Sequence, residues 1–131
     1  MAKTAAELVA EAKARVENLT AEQVAAEMAA GDVVLVDIRE PQERVDNGAI
    51  PGAVAAPRGM LEFWADPSSS YHRPEFDPAR RVILHCASGG RSALAADTLR
   101  LLGYGNVAHL DGGIGAWKAA GLPVDEEGIG E

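Results

Sequence analysis

A chain of 131 residues with 47% apolar and 24% charged side chains can close one hydrophobic core and is too apolar to remain disordered. A net charge of −8 argues against general affinity for nucleic acid or an anionic membrane, so an anionic substrate would need a local positive site. One cysteine excludes an internal disulfide and a multi-cysteine metal centre built from this chain alone.

The N-terminal stretch carries acidic residues and no long apolar run, unlike a secretory signal or transit peptide, and nowhere are there the ~20 apolar residues of a membrane helix. A cytoplasmic location is the expectation. Thr4 with Glu7, and Thr20 with Gln23, have the spacing of capping boxes. Leu8, Val9, Ala12, Val16 and Leu19 recur at helical spacing behind the first, which predicts a helical extension over residues 1–18. Val24, Ala25 and Met28 follow the second, and Gly31 is placed to end that helix. Residues 33–38, Val-Val-Leu-Val-Asp-Ile, read as a strand buried on both faces. Glu40 and Pro41 start a short helix ending near Gly48, since proline suits the first helical position. A turn at 50–53 leads to a long loop over 57–78, with one helical turn around Met60 to Trp64; loops of that length often line a site. Residues 81–85 and 106–110 are further strands, 92–102 a helix stopped by Gly103, and Gly112-Gly113 opens a last helix carrying Ile114, Ala116 and Trp117. The acidic tail, 125–131, is expected to be mobile. Strands alternating with helices predict one α/β domain over 19–124 with a largely parallel sheet.

The chemistry concentrates in Cys86-Ala87-Ser88-Gly89-Gly90-Arg91-Ser92. A cysteine leaves a buried strand, passes two glycines and meets a helix start, at the end of the sheet where open α/β folds bind ligands. Glycines let backbone N–H groups turn inward as an anion cradle, and the helix N-terminus adds positive partial charge. Both favour thiolate over thiol, which makes Cys86 the candidate nucleophile rather than a buried small hydrophobe. Arg91 offers a fork of donors suited to a small oxyanion.

Four segments, in this order, resemble the rhodanese family: Val36-Asp37-Ile38-Arg39-Glu40, Gly48-Ala49-Ile50-Pro51-Gly52-Ala53, the Cys86–Ser92 loop, and Asp111-Gly112-Gly113-Ile114-Gly115-Ala116-Trp117 with Gly121-Leu122-Pro123-Val124. The resemblance covers about Leu19 to Val124. It implies a parallel sheet with helices on both faces and sulfur transfer through a Cys86 persulfide. Thiosulfate is then the expected small anionic donor, and an external thiol or cyanide the acceptor; a protein sulfur donor or acceptor is the alternative partner. No metal or organic cofactor is required. Family sulfurtransferases have four residues between the cysteine and the position of Arg91, as here, whereas the related dual-specificity phosphatases have five. Two other readings stay open: a partner-binding or relay module with little turnover of its own, and a phosphatase or arsenate reductase.

Ser88 is the hydroxyl expected near the persulfide, and Arg91 the holder of the donor's oxyanion. Asp37 and Arg39 end another strand; the family pattern suggests that Asp37 supports backbone around the loops, and a structural ion pair is the competing reading. Arg58 enters the long loop, either guiding an anion or simply solvated. His85 is next to Cys86 but should face the other side of the sheet. His72 and His109 read as surface and structural residues, and the histidines with Cys86 show no metal-ligand spacing. Phe63 and Trp64 either wall the cysteine or bury the loop. Gly112-Gly113-Ile114-Gly115 lacks the spacing of a dinucleotide fingerprint and reads as packing at a helix start.

Overall fold

The computed structural model describes residues 2–126. Thr4 caps α1 (Ala5–Arg15), its hydroxyl accepting from the Glu7 N–H while the Glu7 carboxylate accepts from the Thr4 N–H. Thr20 and Gln23 repeat the arrangement at α2 (Ala21–Ala30), which ends at left-handed Gly31. The first helix is shorter than its apolar spacing suggests. Val16 is already extended, with φ −121° and ψ 166°, and Glu17–Leu19 forms a strand, β1. The Asn18 side-chain amide donates to the carbonyls of Lys13 and Val16, satisfying acceptors that another helical turn would have used. The expected division between a helical extension ending at residue 18 and a domain starting at 19 therefore falls inside a strand.

The remaining elements are β2 (Val34–Asp37), α3 (Pro41–Asn47), β3 (Val54–Ala55), a 3-10 turn (Arg58–Met60) continuing into α4 (Leu61–Ala65), β4 (Val82–His85), α5 (Gly90–Leu101), β5 (Val107–Leu110) and α6 (Gly113–Ala119). The strands form one sheet in the order β1-β5-β4-β2-β3, with every pairing parallel. β2, β4 and β5 are buried along their whole length, as continuous apolar runs in a doubly covered sheet must be.

Alternate residues divide the core in two. Val34, Val36, Val82, Leu84 and Val107 pack with Leu61, Phe76, Ala96 and Leu99 on one face; Leu35, Ile83, Ala108 and Leu110 pack with Val24, Ile114 and Trp117 on the other. Each such Val, Leu or Ile contributes roughly 1.5–3 kcal/mol over its exposed state. α1 lies beside α5 and is tied to it by an Arg15–Asp97 ion pair. Asp125 is not free: it exchanges backbone hydrogen bonds of 2.8 and 2.9 Å with Ala49. The expected mobile tail therefore begins no earlier than Glu126, and its residues 127–131 lie outside the described part. No helix among the described residues is long and apolar enough to cross a membrane.

Candidate functional site

Connections from β2 run toward one edge of the sheet and those from β4 toward the other, so the crevice between their C-terminal ends is where an open α/β sheet presents a ligand site. Cys86 follows β4 directly. The chain then turns at Gly89, whose φ of +105° is left-handed, and enters α5. That turn folds Ser92 back over Cys86. The sulfur, on a residue only 1% exposed, accepts N–H hydrogen bonds from Gly89 at 3.2 Å and Ser92 at 3.3 Å. Gly89 is the N-cap and Ser92 lies in the first turn of the twelve-residue helix α5, whose N-terminal end adds positive partial charge.

The loop is held from behind by α6. Ile114 N–H donates to the Cys86 carbonyl at 2.9 Å and Gly115 N–H to that of Ala87 at 3.2 Å. Gly113 has φ +62°, and a Cβ there would lie 2.5 Å from the Cys86 carbonyl oxygen. The glycine cluster at 112–115 is thus backbone packing at a helix start, as the sequence suggests.

Arg91 stands at the rim rather than over the sulfur. Its guanidinium meets the Glu43 carboxylate fork to fork, with Nη1–Oε1 and Nη2–Oε2 both 2.8 Å. Hydrogen bonding from Arg91, with the Glu40 N–H and the Arg91 charge adding to it, pulls the Glu43 carboxyl from its usual range down to about 2. Ala87 and Gly90 are half-buried and Ser88 is exposed. The hydroxyl beside the sulfur is that of Ser92, at 3.6 Å, not that of Ser88, because the left-handed turn brings back the residue six positions on.

Ser92 Oγ in turn lies 2.9 Å from His109 Nδ1, and His109 Nε2 lies 2.7 Å from Asn18 Oδ1. Sequence reasoning set His109 aside as structural and did not single out Asn18. The available signal was alternation: His109 shares its face of β5 with core residue Val107, and β5 lies beside β4. That neighbour relation is absent from the linear order.

The other candidates fall elsewhere. Asp37 is fully buried and accepts from the Arg39 backbone N–H, from Arg39 Nε and Nη2, and from Arg44 Nη1. Burial works to raise its carboxyl, but the Arg39 hydrogen bonds and the neighbouring positive charge hold it below the usual range. Arg39 also donates to the Gly48 carbonyl at 2.7 Å, so the pair anchors the end of α3. Arg58 pairs with Glu62 at 2.8 Å. Neither Arg39 nor Arg58 touches the 86–92 loop through a hydrogen bond or ion pair among the described residues. His85 is fully buried and opposite Cys86, its Nε2 3.7 Å from Asp37 Oδ2; burial pushes it toward the neutral form. His72 bonds the Phe76 carbonyl, Trp64 packs on the core beneath Arg73, and Phe63 is 52% exposed, so of Phe63 and Trp64 only Trp64 helps to bury the loop, together with the core residue Phe76.

A parallel α/β sheet with a cysteine seated among backbone N–H donors at a helix start is an arrangement that can stabilise negative charge on sulfur. The chain belongs to the rhodanese-like domain family, whose model matches residues 20–120. A sulfurtransferase from Allochromatium vinosum is 40% identical over 93 residues, which cover 71% of this chain and 78% of that protein. Among solved structures, a Rhodopseudomonas palustris protein, described as of unknown function and a possible tyrosine phosphatase, superposes with a TM-score of 0.90. It is 43% identical, with 95% of this chain and 96% of that one covered. The polysulfide-sulfur transferase homodimer of Wolinella succinogenes superposes with a TM-score of 0.73 at 29% identity, covering 88% and 82%.

Proposed function

We propose that this chain is a sulfurtransferase that carries one sulfane sulfur on Cys86. The observation that carries the reading is the pair of N–H donors aimed at the Cys86 sulfur from the N-cap and first turn of α5, in a chain whose relatives include a sulfurtransferase and a polysulfide-sulfur transferase. Such donors stabilise negative charge on sulfur before and after loading.

In the proposed cycle the Cys86 thiolate attacks the outer sulfur of thiosulfate. A new S–S bond forms, the donor's S–S bond breaks, and sulfite leaves with the electron pair. Cyanide or an external thiolate then attacks the outer sulfur of the persulfide and returns the Cys86 thiolate. This is covalent, double-displacement catalysis and predicts ping-pong kinetics. The chain's one cysteine leaves no internal thiol to resolve the persulfide, so the acceptor, a small molecule or a partner protein, comes from outside. A lone cysteine that must stay reduced suits the cytoplasm. Ala87, Ser88 and Gly90 form the approach to the sulfur, and Arg91 meets the donor's oxyanion at the rim once it releases Glu43. Asp37 and Arg39 act at a distance, by holding the β2 end and α3.

The test is intact mass after thiosulfate, then after cyanide, for wild type and Cys86→Ser. Gain of one sulfur atom and its loss as thiocyanate in wild type only is the expected result. Loading of Cys86→Ser would refute the assignment. Loading from protein persulfides but not thiosulfate would favour a relay module. Hydrolysis of p-nitrophenyl phosphate without loading would favour the phosphatase reading raised by the R. palustris relative.

A further inference from the structure

Four side chains form a continuous chain of hydrogen bonds from the buried sulfur to the edge strand: Cys86, Ser92, His109 and Asn18. The first three are 1%, 0% and 0% exposed, and Asn18 is exposed. The network assigns its own protons. Asn18 donates its amide to the carbonyls of Lys13 and Val16, so its oxygen faces His109. His109 must then carry hydrogen on Nε2 and present a bare lone pair at Nδ1. Ser92 Oγ lies 3.3 Å from the Gly89 carbonyl and 2.9 Å from that lone pair; the shorter contact takes its hydroxyl hydrogen, and its oxygen accepts from the Cys86 thiol.

We propose that Ser92 and His109 form a proton relay that accepts the Cys86 proton to give the thiolate that attacks. The step balances: the S–H bond breaks, its proton bonds to Ser92 Oγ, the original Ser92 hydroxyl proton bonds to His109 Nδ1, and thiolate and imidazolium result. When thiolate is regenerated at the end of transfer, the same bonds run in reverse. Ser92 touches the reacting atom; His109 is a positioning residue that acts through it, and Asn18 sets its tautomer. The inference rests on the reading of Cys86 as nucleophile.

The surroundings suit this role. The charged groups on α1, β1, α5 and the end of β5, which surround His109, are Glu7, Glu11, Lys13 and Arg15 of α1, Glu17 of β1, Arg91, Asp97 and Arg100 of α5, and Asp111 just after β5. All but Glu7 are engaged in ion pairs: Glu11 with Lys3, Lys13 with Asp111, Arg15 and Arg100 with Asp97, Glu17 with Arg81, and Arg91 with Glu43; the Glu7 carboxylate accepts from the Thr4 N–H. His109 thus sees mostly paired charge. Burial pushes it toward the neutral form, with Asp111 opposing and Lys13 assisting, which keeps Nδ1 available.

The test is the rate of Cys86 alkylation by iodoacetamide from pH 5 to 9, read by intact mass, so it needs no sulfur donor. His109→Asn keeps an acceptor near Nδ1 but no basic site; its profile should move up by about one pH unit, a roughly tenfold slower alkylation at pH 7. Ser92→Ala, which keeps the backbone donor, should move it the same way. Asn18→Asp places a carboxylate against Nε2 and should move the profile down by roughly one unit, a gain that loss of packing cannot produce. Profiles coincident with wild type, or upward shifts in all three variants in step with lowered melting temperature, would overturn the relay. Failure of thiosulfate loading in wild type with these shifts intact would reject the sulfurtransferase reading and leave the relay standing.

Discussion

Glu43 and Arg91 neutralise each other across the mouth of the cysteine loop, with two 2.8 Å contacts joining α3 to the first turn of α5. Arg91, the cation of the 86–92 loop, is therefore already paired. Freeing it should favour a dianionic donor. Glu43→Gln is expected to lower the KM for thiosulfate about 2–5-fold, the range that ~0.5–1 kcal/mol for a partly exposed pair allows. Arg91→Ala should raise that KM while sparing loading from a neutral organic persulfide. Equal losses with both donors in Arg91→Ala would remove its role toward anions.

The same pair should show in acid. The folded-state Glu43 value of about 2 lies below its ordinary 4.5, so its stabilisation is complete above about pH 4.5 and disappears as the pH falls through 2. Both side chains are partly exposed, at 42% and 29%, so screening limits the contribution to about 1 kcal/mol. Thermal melts of wild type and Glu43→Gln should differ by that amount at pH 7 and converge near pH 2. A gap that stays constant across this range would contradict the assignment.

Gly113 and Gly31 give a matched comparison. Both have positive φ, but a Cβ at Gly31 meets nothing within 4 Å, whereas at Gly113 it meets the Cys86 and Ala87 carbonyls. Gly31→Ala should cost ~1 kcal/mol from backbone strain alone. Gly113→Ala should cost about 2–4 kcal/mol and slow sulfur loading, because the loop must shift to admit the methyl group. Urea denaturation and loading rates measure the two effects; similar losses in both variants would show that the carbonyl contact is unimportant.

Arg39 is 2% exposed and serves Asp37 and the Gly48 carbonyl together. Arg39→Met leaves a buried carboxylate with Arg44 as its remaining ion-pair partner, and about 3–5 kcal/mol of stability should be lost. Adding Asp37→Asn should restore part of it. A single-variant loss under ~1 kcal/mol in urea denaturation would mean that water replaces the guanidinium.

Local signals carried much of this architecture. The threonine caps at 4 and 20, the stop at Gly31 and Pro41 at the first position of α3 act within a few residues, and the helices start and stop where they indicate. The apolar runs at 34–37 and 82–85 could only be doubly covered strands. β1 was hidden because Val16 and Leu19 keep a three-residue interval that a helix also uses, and β3, at two residues, is too short to show a period. At the site, the cysteine and its glycines were legible because a strand, turn and helix follow one another in the chain. The choice of Ser92 over Ser88 depended on the left-handed turn at Gly89, the Glu43 contact on how α3 packs, and the Asn18–His109 contact on β1 lying beside β5.

β1 occupies residues 17–19, just before the segment matched by the family model. A shortened chain starting at residue 20 would retain every family motif, yet it would expose the outer edge of β5 to stray strand pairing and would delete the amide that orients His109. Such a fragment would make a poor surrogate: its Cys86 would be present in sequence but deprived of its electrostatic setting, and its solubility would suffer at the same cut.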